Sequence, residues 1–212
     1  MLHVTEIFHS VQGESTQIGR RCVFVRLTGC NLRCVWCDTE YAFHGGQAMS
    51  LEQILDEVRA FGCSLVELTG GEPMLQPEAI PLMQKLIDEG FEVMLETGGS
   101  LPLDAVPQPV RRIIDVKCPA SGESERNHWP NLAQLRERDE LKFVLADRGD
   151  YEWARAVLTE RDLRGEHPIL FSPVHDGLDA GEMARWVLED RLPVRVQLQL
   201  HKSLWPGEER GV

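Results

Sequence analysis

Residues 50–73 read SLEQILDEVRAFGCSLVELTGGEP, a helix, a strand and a glycine turn in immediate succession. Ser50 and Gln53 form a capping-box pair, and Leu51, Ile54, Leu55, Val58 and Phe61 fall on one face at helical spacing before Gly62 stops the run. Ser64 to Thr69 lacks two-residue alternation, as expected for a strand covered on both faces. Gly70-Gly71-Glu72-Pro73 then turns the chain at the strand's carboxyl end. The same alternation extends in both directions. Further strands are expected at Cys22 to Leu27, Phe91 to Glu96, Arg112 to Val116, Leu141 to Leu145, Ile169 to Phe171 and Val194 to Leu200. Helices are expected from about Pro77 to Glu89, Asp150 to Arg161 and Asp179 to Asp190. Four helices between parallel-type strands imply right-handed crossovers, hence an α/β fold: a shortened, partial (β/α) barrel of mostly parallel strands, with a doubly wound sheet as the alternative. In both, ligands collect at the carboxyl ends of the strands.

At 212 residues and 24.0 kDa, with 42% hydrophobic and 26% charged residues, the chain reads as one domain spanning 1–212. A formal charge of −12 opposes binding to nucleic acid or to an anionic membrane surface, so an anionic ligand must be caught locally. The sequence contains neither an apolar run of membrane-spanning length nor a basic, apolar leader at Met1-Leu2-His3-Val4, and a cytoplasmic location is expected. In a reducing compartment six cysteines point to metal binding or catalysis rather than disulfides.

Three of the six, Cys30, Cys34 and Cys37, lie within eight residues, directly after an expected strand. A structural zinc site needs four ligands, commonly as two paired arms, and only one CxxC pair is present. Three close thiolates can instead hold three irons of a four-iron, four-sulfur cluster and leave the fourth open to a small chelator. A trio of buried core thiols is the structural alternative. Cys22, Cys63 and Cys118 read as packing residues outside the cluster.

The CxxxCxxC triplet, with Trp36 before its last cysteine, resembles the signature of the radical S-adenosylmethionine superfamily, and Gly70-Gly71-Glu72-Pro73 resembles its second motif. Glu6 to Glu14, Phe24 to Leu32, Cys37-Asp38-Thr39, Thr69 to Pro73, Leu95-Glu96-Thr97, Glu140 to Val144 and Gln199 to Lys202 together resemble the 7-carboxy-7-deazaguanine synthase family over nearly the whole chain. That resemblance implies a carbon–nitrogen lyase of queuosine and 7-deazapurine biosynthesis. Its reaction would be the radical ring contraction of 6-carboxy-5,6,7,8-tetrahydropterin to 7-carboxy-7-deazaguanine with loss of ammonia. It also implies one 4Fe-4S cluster, S-adenosyl-L-methionine, Mg²⁺, an external electron donor such as flavodoxin or ferredoxin, and a homodimer. The competing readings are an activating protein for a glycyl-radical enzyme, which shares CxxxCxxC, and a non-catalytic electron carrier or zinc module.

By the same resemblance, Cys30, Cys34 and Cys37 ligate the cluster and Thr39 offers its hydroxyl oxygen to Mg²⁺. The cofactor is held by Trp36, Cys37, Asp38 and Gly71, with Asp115, Val116 and Lys117 and the segment Ser172, Pro173, Val174 and His175. Val11, Gln12, Gly13, Glu14, Arg26, Thr69, Glu96 and Pro206 contact the pterin, with Glu14 and Arg26 closest to the chemistry. A guanidinium suits the substrate carboxylate because it can make a bidentate charge-assisted pair. Taken alone, Gln12-Gly13-Glu14 would read as a solvated turn, Arg26 as a surface cation and Thr39 as a turn residue. Three departures from the family stand out: Ser15 where Gly is usual, Glu96-Thr97-Gly98-Gly99 in place of Glu-Thr-Asn-Gly or Glu-Thr-Gln-Gly, and the run past Leu204-Trp205-Pro206 to Val212.

Overall fold

A computed structural model describes residues 1–163 and 167–212. Its centre is a single nine-stranded sheet in the order β3-β1-β2-β4-β5-β6-β7-β8-β9. The strands are β1 (Leu2–Val11), β2 (Arg21–Leu27), β3 (Gln47–Met49), β4 (Leu65–Gly70), β5 (Glu92–Thr97), β6 (Arg111–Asp115), β7 (Glu140–Leu145), β8 (Ile169–Pro173) and β9 (Arg195–Val196). From β2 through β9 every neighbouring pair is parallel, and the spatial order follows the chain order. Such an order has no point of reversal, which rules out the doubly wound alternative and leaves an open, partial barrel.

Helices α1 (Leu51–Ala60), α2 (Ala79–Asp88), α3 (Arg148–Glu160) and α4 (Ala180–Asp190) supply the crossovers. The Ser50 capping box forms as expected, and Ile54, Leu55 and Val58 bury the apolar face of α1. α3 starts earlier than expected, because Asp147 caps it by accepting from the Asp150 backbone N–H. The Asp150 carboxylate turns inward instead, accepting from Ala120 and Ala146. No described helix is long and apolar enough to cross a membrane.

Two segments differ from the sequence expectation. β1, the longest strand, was not foreseen, because a bulge between Val4 and Glu6 breaks the alternation that would have marked it. It pairs antiparallel with both β2 and β3. At the other end, only Arg195–Val196 of the expected strand Val194 to Leu200 joins the sheet. Leu200–Leu204 is a short helix, α5, because the Leu200 N–H turns away to the Gly13 carbonyl, 3.0 Å distant.

Ser15, at the position where the family usually has Gly, is buried with φ +61°, in the left-handed region. That conformation costs a residue with a Cβ about 1–2 kcal/mol. The Ser15 hydroxyl offsets part of it by accepting from the Gln17 N–H at 3.0 Å. Ser15→Gly should therefore raise stability by about 0.5–1 kcal/mol, read from the midpoint of chemical unfolding. A lower midpoint would mean that the hydroxyl's bond outweighs the backbone strain.

Candidate active site

A cavity of about 540 Å³ opens at the carboxyl ends of the strands. The loop after β2 delivers Cys30, Cys34 and Cys37 to its wall, half-buried and not disulfide-bonded. Cys22, Cys63 and Cys118 lie in the core away from it. The loop is pinned by the Gly29 N–H to Ala42 (2.8 Å), the Val35 N–H to Ser121 (3.0 Å) and the Arg33 N–H to the Glu123 carboxylate (2.6 Å). Burial pushes all three thiols above their ordinary pKa, so a metal group must displace their protons on binding. Among the described residues no three His, Cys, Asp or Glu side chains gather tightly enough for a single ion. A polynuclear cluster, with one thiolate per iron, fits that spread of sulfurs.

Gly71 lies against this loop: a Cβ there would come within 2.2 Å of the Gly29 carbonyl oxygen and 2.8 Å of the Cys30 Cβ. Glu72, fully buried, ties the second motif to the next strand by accepting from the Met74 N–H, the Thr97 hydroxyl and the Gly98 N–H. Lys117 enters the same wall paired with Asp115 at 2.6 Å. Burial works against its charge, but Asp115 more than compensates, through its charge and its hydrogen bond, and holds the ammonium above its usual range. Asp115 Oδ1 and Ser172 Oγ are buried without a partner among the described residues. Asp115 lines the cavity at the carboxyl end of β6, where a donor group of a bound cofactor would satisfy it, whereas Ser172, near the end of β8, lies behind the cavity wall.

The opposite wall is built from alternate residues of the strands. Glu67 and Thr69 share one face of β4, and Arg26, Glu96 and Lys142 enter from β2, β5 and β7. Lys142 is 5% exposed and bridges two carboxylates, Glu96 at 2.8 Å and Glu14. Burial lowers the ammonium's pKa, yet Glu14 and Glu96 outweigh it and keep Lys142 charged. Glu96 is likewise opposed by burial and held ionised chiefly by Lys142. Glu67 takes the other course: burial first, then the charges of Glu96 and Glu14, push its carboxyl well above the ordinary range. It accepts from the Gln12 side-chain amide, whose oxygen in turn accepts from the Glu14 N–H at 2.9 Å.

Most of the residues expected at the site line this one cavity. They are Val11, Gln12, Gly13, Glu14, Arg26, Thr69 and Glu96 of those expected to contact substrate, and Trp36, Asp38, Thr39, Gly71, Asp115, Lys117, Val174 and His175 of those expected around the metal and the cofactor. Val116, Ser172 and Pro173 do not line it, and Pro206 is exposed outside it. Past β9 the chain instead contributes Gln199, His201, Lys202 and Val212. Gln199 donates to Glu14 at 2.9 Å, and Lys202 pairs with Asp38 at 3.1 Å. Burial raises the Asp38 pKa, but Lys202 and the Thr39 hydroxyl overcome this and bring it to about 2. Glu67, Lys142, Gln199, His201, Lys202 and Val212 were not expected at the site, although Lys142 and Gln199 to Lys202 lie in segments that carry the family resemblance. A charged residue flanked by apolar neighbours, as in Val66-Glu67-Leu68 and Leu141-Lys142-Phe143, was the signal for the first two.

Residues 24–119 match the model of the radical SAM superfamily. The 7-carboxy-7-deazaguanine synthase of Koribacter versatilis (strain Ellin345) is 47% identical over 100% of both chains. This chain belongs to the 7-carboxy-7-deazaguanine synthase family. The enzyme of that name from Chlorobaculum tepidum is 46% identical, covering 100% of this chain and 97% of its own. QueE from Escherichia coli, known from its crystal structure, shares the fold, with a TM-score of 0.74 and 23% identity over 92% of this chain and 93% of that one. The 7-carboxy-7-deazaguanine synthase family is one of radical S-adenosylmethionine enzymes, which implies a 4Fe-4S cluster and S-adenosylmethionine. The chain is accordingly a lyase of this type acting on a small molecule, rather than an electron carrier, a zinc module or a glycyl-radical activating protein.

The protonation of Glu67 makes stability depend on pH. Its folded pKa lies above the ordinary 4.5, so the native state favours the protonated form, and stability falls as pH rises from that value toward the raised one. Glu67→Gln should flatten this decline. Unfolding free energies measured between pH 5 and 8 should converge on or cross the parent's as pH rises; parallel curves would show that Glu67 does not titrate there.

Proposed function

We propose that this chain converts 6-carboxy-5,6,7,8-tetrahydropterin to 7-carboxy-7-deazaguanine and ammonia at this cavity, with residues 1–212 acting as one radical S-adenosylmethionine domain. The observation that carries the reading is that three free thiols, the buried Gln12 and Lys142, and the half-buried Glu14, Arg26 and Glu96 share one cavity of about 540 Å³. Cys30, Cys34 and Cys37 would hold the cluster. Asp115 and Gly71 would receive the cofactor, with Trp36, Asp38, Lys117, Val174 and His175 around them and Val116, Ser172 and Pro173 supporting the wall from behind. When bound, the reduced cluster and S-adenosylmethionine supply abstraction of a hydrogen atom from a substrate carbon.

The protein's own part is orientation and charge. Gln12 and Glu14, locked by Glu67 and Lys142, present fixed donors and acceptors to the pterin's polar edge, and Thr69 and Glu96 line the same wall. Arg26 is matched to the substrate carboxylate. Lys142 holds a proton on Nζ beside the cavity, and Glu67 holds one on its carboxyl. Holding the pterin fixed turns a bimolecular encounter into an oriented one, which favours product over side reactions of a reactive intermediate.

Thr39 suits Mg²⁺ because its hydroxyl donates its proton to Asp38 Oδ1 at 2.8 Å, leaving the oxygen lone pairs free for a hard cation. The Asp38 carboxylate beside it, ionised down to a pH of about 2, adds to the attraction. An external one-electron donor such as flavodoxin or ferredoxin would reduce the cluster. A homodimer is supported by apolar side chains left exposed in the C-terminal part of the chain, Leu188 on α4, Val196 on β9, Leu198 after it and Leu204 on α5.

Anaerobic reconstitution followed by assay with and without the carboxypterin tests the reading: ammonia and deazaguanine should form in equal amounts only when the pterin is present. Cofactor cleavage without deazaguanine from any pterin would overturn it. Arg26→Ala should weaken substrate affinity by one to two decades, the roughly 1.5–3 kcal/mol of a charge-assisted pair, and release more 5′-deoxyadenosine per product at saturating substrate. Thr39→Ala should keep the iron chromophore while turnover falls and its response to added Mg²⁺ changes; an unaltered Mg²⁺ titration removes Thr39 from the metal.

A further inference from the structure

Arg26 does not reach the cavity as a free cation. Its Nε donates to Glu6 Oε1 at 2.8 Å, and the Tyr41 hydroxyl donates to the same oxygen, also at 2.8 Å. Arg26 and Glu6 are 15% and 17% exposed, so this pair is largely withdrawn from solvent. The Arg26 guanidinium carbon lies 5.7 Å from the Phe8 ring centroid and 5.9 Å from that of Tyr41. Among the described residues, Nε is the only side-chain nitrogen of Arg26 with a hydrogen-bond partner, which leaves the two terminal nitrogens available.

The backbone is built to make this contact. β1 and β2 are antiparallel, with Val4 opposite Leu27 and Glu6 opposite Arg26, so the bulge inserts Thr5 as the unmatched residue. A regular ladder continuing from Val4 and Leu27 would set Thr5 across from Arg26. The bulge replaces a short hydroxyl with a carboxylate at that point, and directly opposed residues project to the same side of the sheet. Burial raises the Tyr41 pKa, so its phenol stays protonated and remains a donor.

We propose that Glu6 is a positioning residue for substrate recognition: with Tyr41 and Phe8 it holds the Arg26 guanidinium by its Nε side, so that the terminal edge faces the carboxylate of the substrate. An arginine side chain left to itself samples many rotamers, and fixing it beforehand removes that ordering cost from the binding step. A fixed guanidinium also sets where the carboxylate docks, and through it which ring carbon faces the reacting groups. The inference rests on the reading of Arg26 as the carboxylate's partner. It adds to that reading a role for Glu6 and Tyr41 and a purpose for the bulge.

The test compares the carboxypterin with the same tetrahydropterin lacking its carboxylate, using the reconstituted holoenzyme with S-adenosylmethionine. KM and kcat are measured for the first, and the inhibition constant for the second. Glu6→Ala should raise KM for the carboxypterin about tenfold, with a smaller change in kcat, and leave the inhibition constant of the other ligand unchanged. Glu6→Gln, which keeps an acceptor for Nε, should restore most of the loss. In an Arg26→Ala background, Glu6→Ala should add nothing further. Tyr41→Phe, a milder change that keeps the ring, should raise KM a few-fold for the carboxypterin alone, and it serves if Glu6→Ala fails to fold. Equal losses for both ligands, or an undiminished effect of Glu6→Ala without Arg26, would overturn the proposal while leaving Arg26's role intact. If Arg26→Ala itself fails to discriminate the two ligands, the underlying reading of Arg26 falls, and the role of Glu6 falls with it.

Discussion

A single buried ammonium, Lys142 Nζ, holds the carboxylates of Glu14 and Glu96 together at the mouth of the sheet. Glu14 belongs to the loop after β1, Glu96 to β5 and Lys142 to β7, so one cation joins segments far apart in sequence. Removing one partner of such a cluster costs up to about 3–5 kcal/mol, because it leaves a largely buried charge short of its counter-charge. The third carboxyl, Glu67, shows the limit of this arrangement. With one ammonium among three acids, burial forces a proton onto the carboxyl that Lys142 serves least. A cavity with a fixed alternation of charged and neutral groups follows, which suits a planar ligand whose edge alternates donors and acceptors.

The rest of the site is arranged around that centre by short ties. Glu72 joins the glycine turn after β4 to the end of β5, so the wall carrying Gly71 and the wall carrying Glu96 move together. From the other side, the segment leading into α5 closes over the N-terminal loop through the Leu200 N–H to Gly13 and Gln199 to Glu14. Gly13 is needed there: a Cβ would come within 2.4 Å of His201 Nδ1. Lys202 then reaches Asp38, linking the substrate side of the cavity to the thiol loop. The Ser15 conformation belongs to the same strap, since its carbonyl accepts from Gln197 at 3.0 Å while the adjoining Thr16 is bound by Glu140 at the opposite end of β7. Local strain at Ser15 is thus over-determined by contacts from two directions.

The amino-acid sequence by itself determined the parallel βα scaffold and the position of the thiols. Four helices, the first with its Ser50 capping box, and the succession of apolar strands are local patterns, and a strand buried on both faces announces itself through composition alone. Three cysteines in eight residues at a strand's end are equally local. What only the tertiary structure decided were the features that depend on partners distant in sequence. β1 was hidden because its bulge serves Arg26, 20 residues away, rather than its own alternation. Val194 to Leu200 looked like one more strand until the Leu200 N–H found Gly13 instead of the sheet edge. Val212 rather than the expected Pro206 lines the cavity for a similar reason: which part of a terminal segment enters a cavity is set by where the preceding helix points. Glu67 and Lys142 were visible as odd charges in apolar strands, but their protonation states were not. Those follow from a count of opposing charges within a few ångströms, a quantity that exists only once the strands are side by side.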